Sequence, residues 1–350
     1  MGRVDVTPNI GAAADAIMIG KRREGTQLLT PIAAELGTVR QSPAMNVAAV
    51  VANCTGKKIL KPCKPATPVS LTIGVQAAVQ TEWLGRLGML KPEVKACSLY
   101  TGRGFGFARQ AATLAAAPLY IASAGLGLVA GDTLVPTYGL TPTGKHPDAV
   151  SARVQGVFKP DVWFEGMLGG PFSSAWTDVL GDGQGSVLIA LTHPYARMLG
   201  RSLSALAPDQ LARLRIFGPS LNAVLPEVLH PAIAPYDKRL DVIAPGLQQH
   251  FASRALQHFV QSILPAQAMP DRAAEFEAVK AALGAVILPN RPRREGRTDA
   301  QLLAWITARL RSERGIARLL KALRHDEGIA CEQARFARLY RAGLERRAAA

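Results

Sequence analysis

Apolar residues recur along this chain in two spacings. Four runs are apolar almost without interruption: Asn46 to Asn53 (VAAVVA between two asparagines), Pro118 to Ser123, Ser186 to His193 and, more weakly, Leu214 to Gly218. Runs this short, bounded by turn-forming residues, predict strands covered on both faces. Over 70–88, 105–116, 196–214 and 247–263 the apolar positions instead repeat at helical spacing, which predicts amphipathic helices. Strand alternating with helix is the pattern of an α/β fold, with a mainly parallel central sheet and flanking helices. Residues 44–290 are therefore expected to form one α/β domain. Residues 1–43 read as an N-terminal extension of helix and loop with no catalytic signature.

Near residue 290 the pattern changes. The stretch Leu288–Asp299 holds two prolines and four arginines, the composition of a linker. Three short helices are predicted beyond it. Leu302, Leu303, Ile306 and Leu310 give the first an apolar face, and Ile316, Leu319, Leu320 and Leu323 the second. A turn at His325–Gly328 leads to the third, from about Ala330 to Leu344. Its Phe336, Leu339 and Tyr340 face inward, while Arg335, Arg338 and Arg341 recur every three residues on another face. Two helices joined by a short glycine-containing turn, the second carrying an arginine stripe, outline a helix-turn-helix. Each arginine has the geometry to pair with phosphate or to read a guanine edge. Residues 291–350 are thus expected to be a basic helical nucleic-acid-binding unit. The plainer alternative is a solvated charged face on a helical cap.

Charge sharpens this picture. Residues 291–350 contain 15 Lys+Arg and 7 Asp+Glu, a net +8, against +15 for all 350 residues. More than half the excess sits in the last 60 residues. Such a balance favours polyanionic partners, nucleic acid first and an acidic membrane surface second. The first residues lack the basic start, apolar centre and small-residue cleavage site of a secretion signal. The one long uncharged stretch, Ala111 to Gly131, is interrupted by Pro118, Gly125 and Gly127. It reads as a helix end, a buried strand and a glycine-rich turn rather than a membrane span. Four scattered cysteines (54, 63, 97 and 331) suit a reducing compartment. A cytoplasmic protein without membrane association is expected.

In open α/β sheets the ligand binds beyond the carboxyl ends of the strands. The first three strands end in Asn53, Ser123 and His193. If they are parallel neighbours, these side chains share one crevice. Lys57, Lys58, Lys61 and Lys64 form a basic run able to hold phosphates, and Gly125 and Gly127 allow close backbone approach. Tyr100, Phe105, Tyr138 and Tyr195 offer flat faces on which a base could stack. Each residue also has an ordinary reading: a strand-end asparagine forms turns, and a histidine before proline is often a satisfied structural residue. Other patterns are set aside. Gly139–His146 nearly spells a phosphate-cradling loop but has His146 where a magnesium-ligating Ser or Thr belongs, and Pro142 and Pro147 oppose the geometry. The glycines of Gly102–Phe107 have the wrong spacing for a dinucleotide fingerprint. The cysteine spacings match no metal site. His250, Arg254 and His258 share one helix face, expected to be solvated or turned toward DNA. Neither a metal nor a cofactor is expected.

Two motif sets carry a family resemblance. Val47–Lys58, Ser98–Ala112 and Pro118–Leu140 together resemble a group of bacterial proteins related to the peroxide-stress protein YaaA: a polar-ended strand, an "LYTG…F…R" segment, then a strand leading to "SA.GL" and a "P.Y" loop. The match covers roughly the first 140 residues. That group looks like a branch of the uracil-DNA-glycosylase-like superfamily. Ala52–Gly56 (ANCTG) and Thr192–Ala196 (THPYA) look like that superfamily's two strand-end motifs, in the same order. The resemblance implies that Asn53 positions the attacking water and His193 contacts the leaving base. The first motif lacks the superfamily's usual proline, and Tyr195 stands where a small residue is common, which implies a different, bulkier base.

The function this implies is a DNA glycosylase that flips out a modified base and excises it, leaving an abasic site. Defence against phage whose DNA carries hypermodified cytosine is one setting. Asn53 and His193 are the catalytic residues on this reading. Tyr100, Ser123, Tyr138 and Tyr195 bind the base, with Tyr195 or Met198 as the wedge. Lys57, Lys58, Lys61, Arg197, Arg335, Arg338 and Arg341 hold DNA. The partner is modified double-stranded DNA, bound by a monomer. Two alternatives stand beside it: a non-catalytic YaaA-like DNA-binding stress protein, and a tRNA base-modifying glycosylase or transglycosylase.

Overall fold

The computed structural model describes residues 46–144, 146–266, 271–288, 294–310 and 315–348. The expected extension 1–43 and Lys145 of the rejected phosphate loop lie outside the described residues.

All four predicted strands form, and a fifth joins them. They are β1 (Val47–Asn53), β2 (Leu119–Ser123), β3 (Gly127–Ala130), β4 (Ser186–Ala190) and β5 (Leu214–Phe217). They make one sheet in the order β3-β2-β1-β4-β5. β2, β1, β4 and β5 run parallel, with Ala52 opposite both Ile121 and Ala190, and Ala190 opposite Phe217. β3 returns antiparallel along β2 through the turn after Ser123. The uncharged stretch 111–131 is thus a helix end, a strand, a turn and a hairpin strand. Among the described residues no helix is long and apolar enough to cross a membrane.

Continuous apolar runs are required because both faces of the sheet are covered. Side chains alternate along each strand. Val51, Ile189 and Ile216 enter one core with α1 (Gln76–Met89), α3 (Pro160–Leu168) and α4 (His193–Ser204). Val50, Ala52, Leu188, Ala190 and Phe217 enter the other with α2 (Arg103–Leu114), α5 (Phe251–His258) and α6 (Arg272–Gly284). The result is a three-layer α/β/α domain. Trp83 of α1 and Trp163 of α3 are fully buried and donate their indole N–H to the carbonyls of Gly125 and Ala124. These two bonds pin the turn between β2 and β3. On the opposite face Arg215 of β5 meets Glu275 of α6 at 2.5 Å, both buried.

The predicted helix over 196–214 divides into α4, a short helix Pro208–Ala212 and the start of β5. Pro208 causes the break: its ring suits a first helical turn and not an interior. The helix predicted over 247–263 is α5 flanked by tighter and wider turns at Gln248–His250 and Phe259–Ile263.

The three C-terminal helices are α7 (Asp299–Arg309), α8 (Ile316–His325) and α9 (Gln333–Ala348). Thr298 caps α7, accepting the Gln301 N–H while Gln301 returns a bond to the Thr298 N–H. Leu302, Ile306, Leu319, Leu323, Phe336 and Leu339 form a hydrophobic cluster of their own. Gly328 (φ +63°) turns the chain between α8 and α9, where Glu295–Gly296 pairs with Ile329–Ala330.

A basic crevice at the strand carboxyl ends

From β1 the chain moves to β2 on one side, then crosses back to β4 on the other. The order reverses at the boundary between β1 and β4, and such a boundary opens a crevice beyond the carboxyl ends of the strands. Asn53 ends β1 there. Its Oδ1 accepts the Thr192 backbone N–H at 3.2 Å, and its Nδ2 donates to the Cys54 carbonyl at 3.2 Å. The amide is held by both ends and keeps one donor and one acceptor position free.

Asn53 and Thr192 line a cavity of about 510 Å³. Its other walls are Thr55–Lys57, Thr101–Phe105 and, from the segment before and into α5, Leu247, Gln249, His250, Ala252 and Ser253. The size lies within the usual range for small-ligand sites. None of its lining residues is acidic, whereas Lys57, Arg103 and His250 all contribute. Residues 57–59 and 99–101 pair as a short antiparallel bridge: Thr101 N–H donates to the Lys57 carbonyl, and Thr55 Oγ1 donates to the Thr101 carbonyl at 2.8 Å. The bridge holds the β1 loop against the start of α2. Gly102 (φ +108°) precedes that helix and no side chain caps it, so the partial positive charge of the helix start lies at the wall that Gly102–Phe105 give the cavity.

His250 closes the cavity over α2. A Cβ on Gly104 would lie 2.7 Å from the His250 ring, so the close approach requires glycine. Burial, and then the charges of Arg254, Arg103 and Lys57, hold the imidazole below its ordinary pKa. At neutral pH the ring is uncharged, with one donor and one acceptor nitrogen.

Of the residues read from the sequence, Asn53, Lys57 and Phe105 line this cavity. His193 does not line it. Its Nε2 lies 2.6 Å from the Pro219 carbonyl, which can only accept, so that nitrogen carries the proton. Ser123, Tyr100 and Tyr138 are buried rather than offered to a base: Tyr138 Oη joins Tyr100 Oη at 2.7 Å and Ser123 Oγ at 2.5 Å. Tyr195 Oη meets Cys54 Sγ at 2.8 Å. Desolvation holds the tyrosine hydroxyls well above their usual pKa, so they remain protonated. Lys58 lies against this cluster, on the other side of the 57–59 bridge from Lys57. Lys61 and Arg197 are exposed. Met198 is buried among the α4 packing residues, so it is no wedge in this arrangement.

In the C-terminal unit Arg335 and Arg338 both bond Asp299, each at 2.7 Å, and Arg335 also donates to the Arg297 carbonyl. The two arginines hold the Asp299 carboxyl below its usual range, Arg338 most strongly. Arg341 is exposed.

Sequence reasoning missed Thr192, Arg103, Gly104 and His250 as members of the site. Gly102–Phe107, set aside as a failed dinucleotide fingerprint, is the start of α2. The expected stripe of His250, Arg254 and His258 is corrected: Arg254 is 2% exposed and bonds Asp241 at 2.8 Å, and His258 Nδ1 shares a hydrogen bond with Tyr236 Oη at 2.9 Å. Both turn into the protein, and His250 alone reaches the cavity. Among the described residues no cluster of three metal-ligating side chains occurs.

The chain matches no family model, no curated protein and no solved structure.

Proposed function

We propose that this protein is a nucleic-acid N-glycosylase whose site is the crevice between β1 and β4, excising a modified base from DNA. The observation that carries this reading is the Asn53 carboxamide, locked by Thr192 and Cys54 in the wall of a basic cavity with no acidic lining residue. The first motif behind the superfamily resemblance lines this crevice and the second begins at it with Thr192, the two joined by the Asn53–Thr192 bond.

Breaking an N-glycosidic bond develops positive charge on the sugar and negative charge on the base. A pair of carboxylates is one solution for glycoside cleavage, but none lines this cavity. The residues present support another division of labour. Lys57, Arg103 and the start of α2 hold phosphate and favour an anionic leaving base. Asn53 orients the attacking water through its free acceptor position. His250, neutral in place, hydrogen-bonds the departing base, the role first assigned to His193. The C-terminal unit adds non-specific affinity through its arginines.

The test is release of base from natural and hypermodified DNA, scored as alkali-labile abasic sites. Asn53→Ala is expected to slow release by about a hundred- to thousandfold, the usual loss for one positioned polar contact, while DNA affinity stays near that of the parent protein. Wild-type protein that releases no base from any DNA or RNA would leave the non-catalytic binding protein as the better reading.

A further inference from the structure

A second cavity, of about 430 Å³, opens at the same end of the sheet, beyond β5. Pro219 and Ser220, which follow β5, form one wall, and Tyr236, Phe251 and Leu288 give it apolar surface. One segment of chain divides it from the crevice between β1 and β4. Gln248 and Phe251 line the second cavity, whereas Leu247, Gln249, His250 and Ala252 line the first. A single stretch of backbone thus separates the two.

The parts of this cavity are held in place. The Tyr236 hydroxyl shares a hydrogen bond with His258 Nδ1 at 2.9 Å, which sets the ring. Ser220 stands in the left-handed region at φ +49°, a costly conformation for a residue with a side chain. His193 Nε2, 2.6 Å from the Pro219 carbonyl, braces the turn that imposes it. The Ser220 hydroxyl makes no hydrogen bond among the described residues. Asp237 and Arg239 neutralise each other in a pair at 2.6 Å. Lys238, between them in the chain, is exposed and has no hydrogen bond or salt bridge among the described residues. The uncompensated charge at the rim is therefore positive. Apolar walls with aromatic rings, a hydroxyl and a cation suit a nucleobase and its phosphate, the base against the rings and the phosphate on the lysine.

We infer that this cavity takes the nucleotide next to the one in the crevice, so that the substrate is single-stranded. The inference rests on the reading of the crevice as a nucleic-acid site. The dividing segment stands between the two bases, so they neither stack on each other nor keep partners on a second strand. Drawing both from a duplex doubles the penalty of unpairing and unstacking, which a single strand does not incur. Lys57 and Arg103 on one side of the segment, and Lys238 on the other, carry successive phosphates.

The experiment is an anisotropy titration of the full chain with a short labelled DNA single strand and with its duplex. Salt is set high enough to suppress non-specific duplex binding through the C-terminal arginines. The single strand is expected to bind about ten- to a hundredfold more tightly, the range that stacking of one base supplies. Lys238→Glu is expected to remove most of that preference and Lys238→Arg to restore it. Lys238 is exposed, and melting curves establish that both variants are folded. Three results would each overturn the inference: a duplex bound as tightly as the single strand, single-strand affinity unchanged in Lys238→Glu, or full competition by a free mononucleotide, which would make the cavity a site for free nucleotides. The titration needs no base release. A protein that shows the expected binding pattern but releases no base would sink the glycosylase reading and leave this one intact.

Discussion

Gly104→Ala separates the stability of the fold from the use of the crevice. Gly104 is the second residue of α2, and its φ lies outside the left-handed region. Alanine is accommodated by the backbone and favours helix over glycine by up to about 1 kcal/mol. The obstacle is the His250 ring: the new Cβ would lie 2.7 Å from Cδ2, 3.4 Å from Cγ and 3.5 Å from Nε2. Restoring ordinary contact moves the ring by roughly 0.7 Å, and misplacement of that order at a reacting centre costs up to about a hundredfold in rate. The ring is only lightly packed, against Phe107 and Gln249, so it yields before the backbone does. The expected outcome is an unchanged or slightly raised melting temperature together with base release slowed by about ten- to a hundredfold. Chemical-shift titration of His250 reports the displacement directly. Normal base release with a visibly displaced ring would remove His250 from the mechanism. A melting temperature lowered by several degrees would show that the helix, not the ring, absorbs the strain.

Glu275→Ala leaves the Arg215 charge buried without its partner, and is expected to cost about 3–5 kcal/mol in urea unfolding, whereas replacing the pair by Met and Leu should be near neutral. His258 Nδ1 shares a hydrogen bond with the Tyr236 hydroxyl, and burial lowers its pKa from 6.5. The unfolded chain therefore binds the proton first as pH falls, so stability present above about pH 6.5 is lost on acidification, a loss that His258→Gln should flatten in melts between pH 5 and 7. Reversing Arg338 and Arg341 together is expected to reduce the slope of log affinity against log salt by about 2 in gel-shift titrations. Arg335, tied to both Asp299 and the Arg297 carbonyl, is expected to affect folding of the unit first.

The sheet was legible because fully covered strands leave a local trace. β1, β2 and β4 are each apolar on both faces, and only the middle layer of a three-layer domain needs that. Their parallel adjacency followed from helices between them. β3 was hidden inside the glycine-rich stretch, where Gly127 at φ +83° turns the chain back antiparallel. The break at Pro208 is readable in retrospect, because Leu206–Ala207–Pro208 opens a new helix rather than continuing α4.

The crevice was half legible, and the difference is one of direction rather than residue type. Asn53 was identified because a strand terminus fixes where its side chain stands. Tyr100 and Tyr138 carry the flat rings that stacking needs, but the same rings fill a core when their hydroxyls find each other. That choice depends on Gly125 leaving space for Tyr138 and on Ser123 presenting a hydroxyl to it. The adjacent lysines make the point most sharply. Lys57 and Lys58 are equivalent in composition and in charge. Pairing of their extended segment with Tyr100 sends the two side chains to opposite sides. One faces the cavity and suits phosphate; the other loses its water among tyrosines. Nothing within several residues of Lys58 encodes that fate. It is set by a bridge to a distant part of the chain, which is why the sequence shows a basic run where the folded protein holds one lysine at the cavity and one half-buried against tyrosine rings.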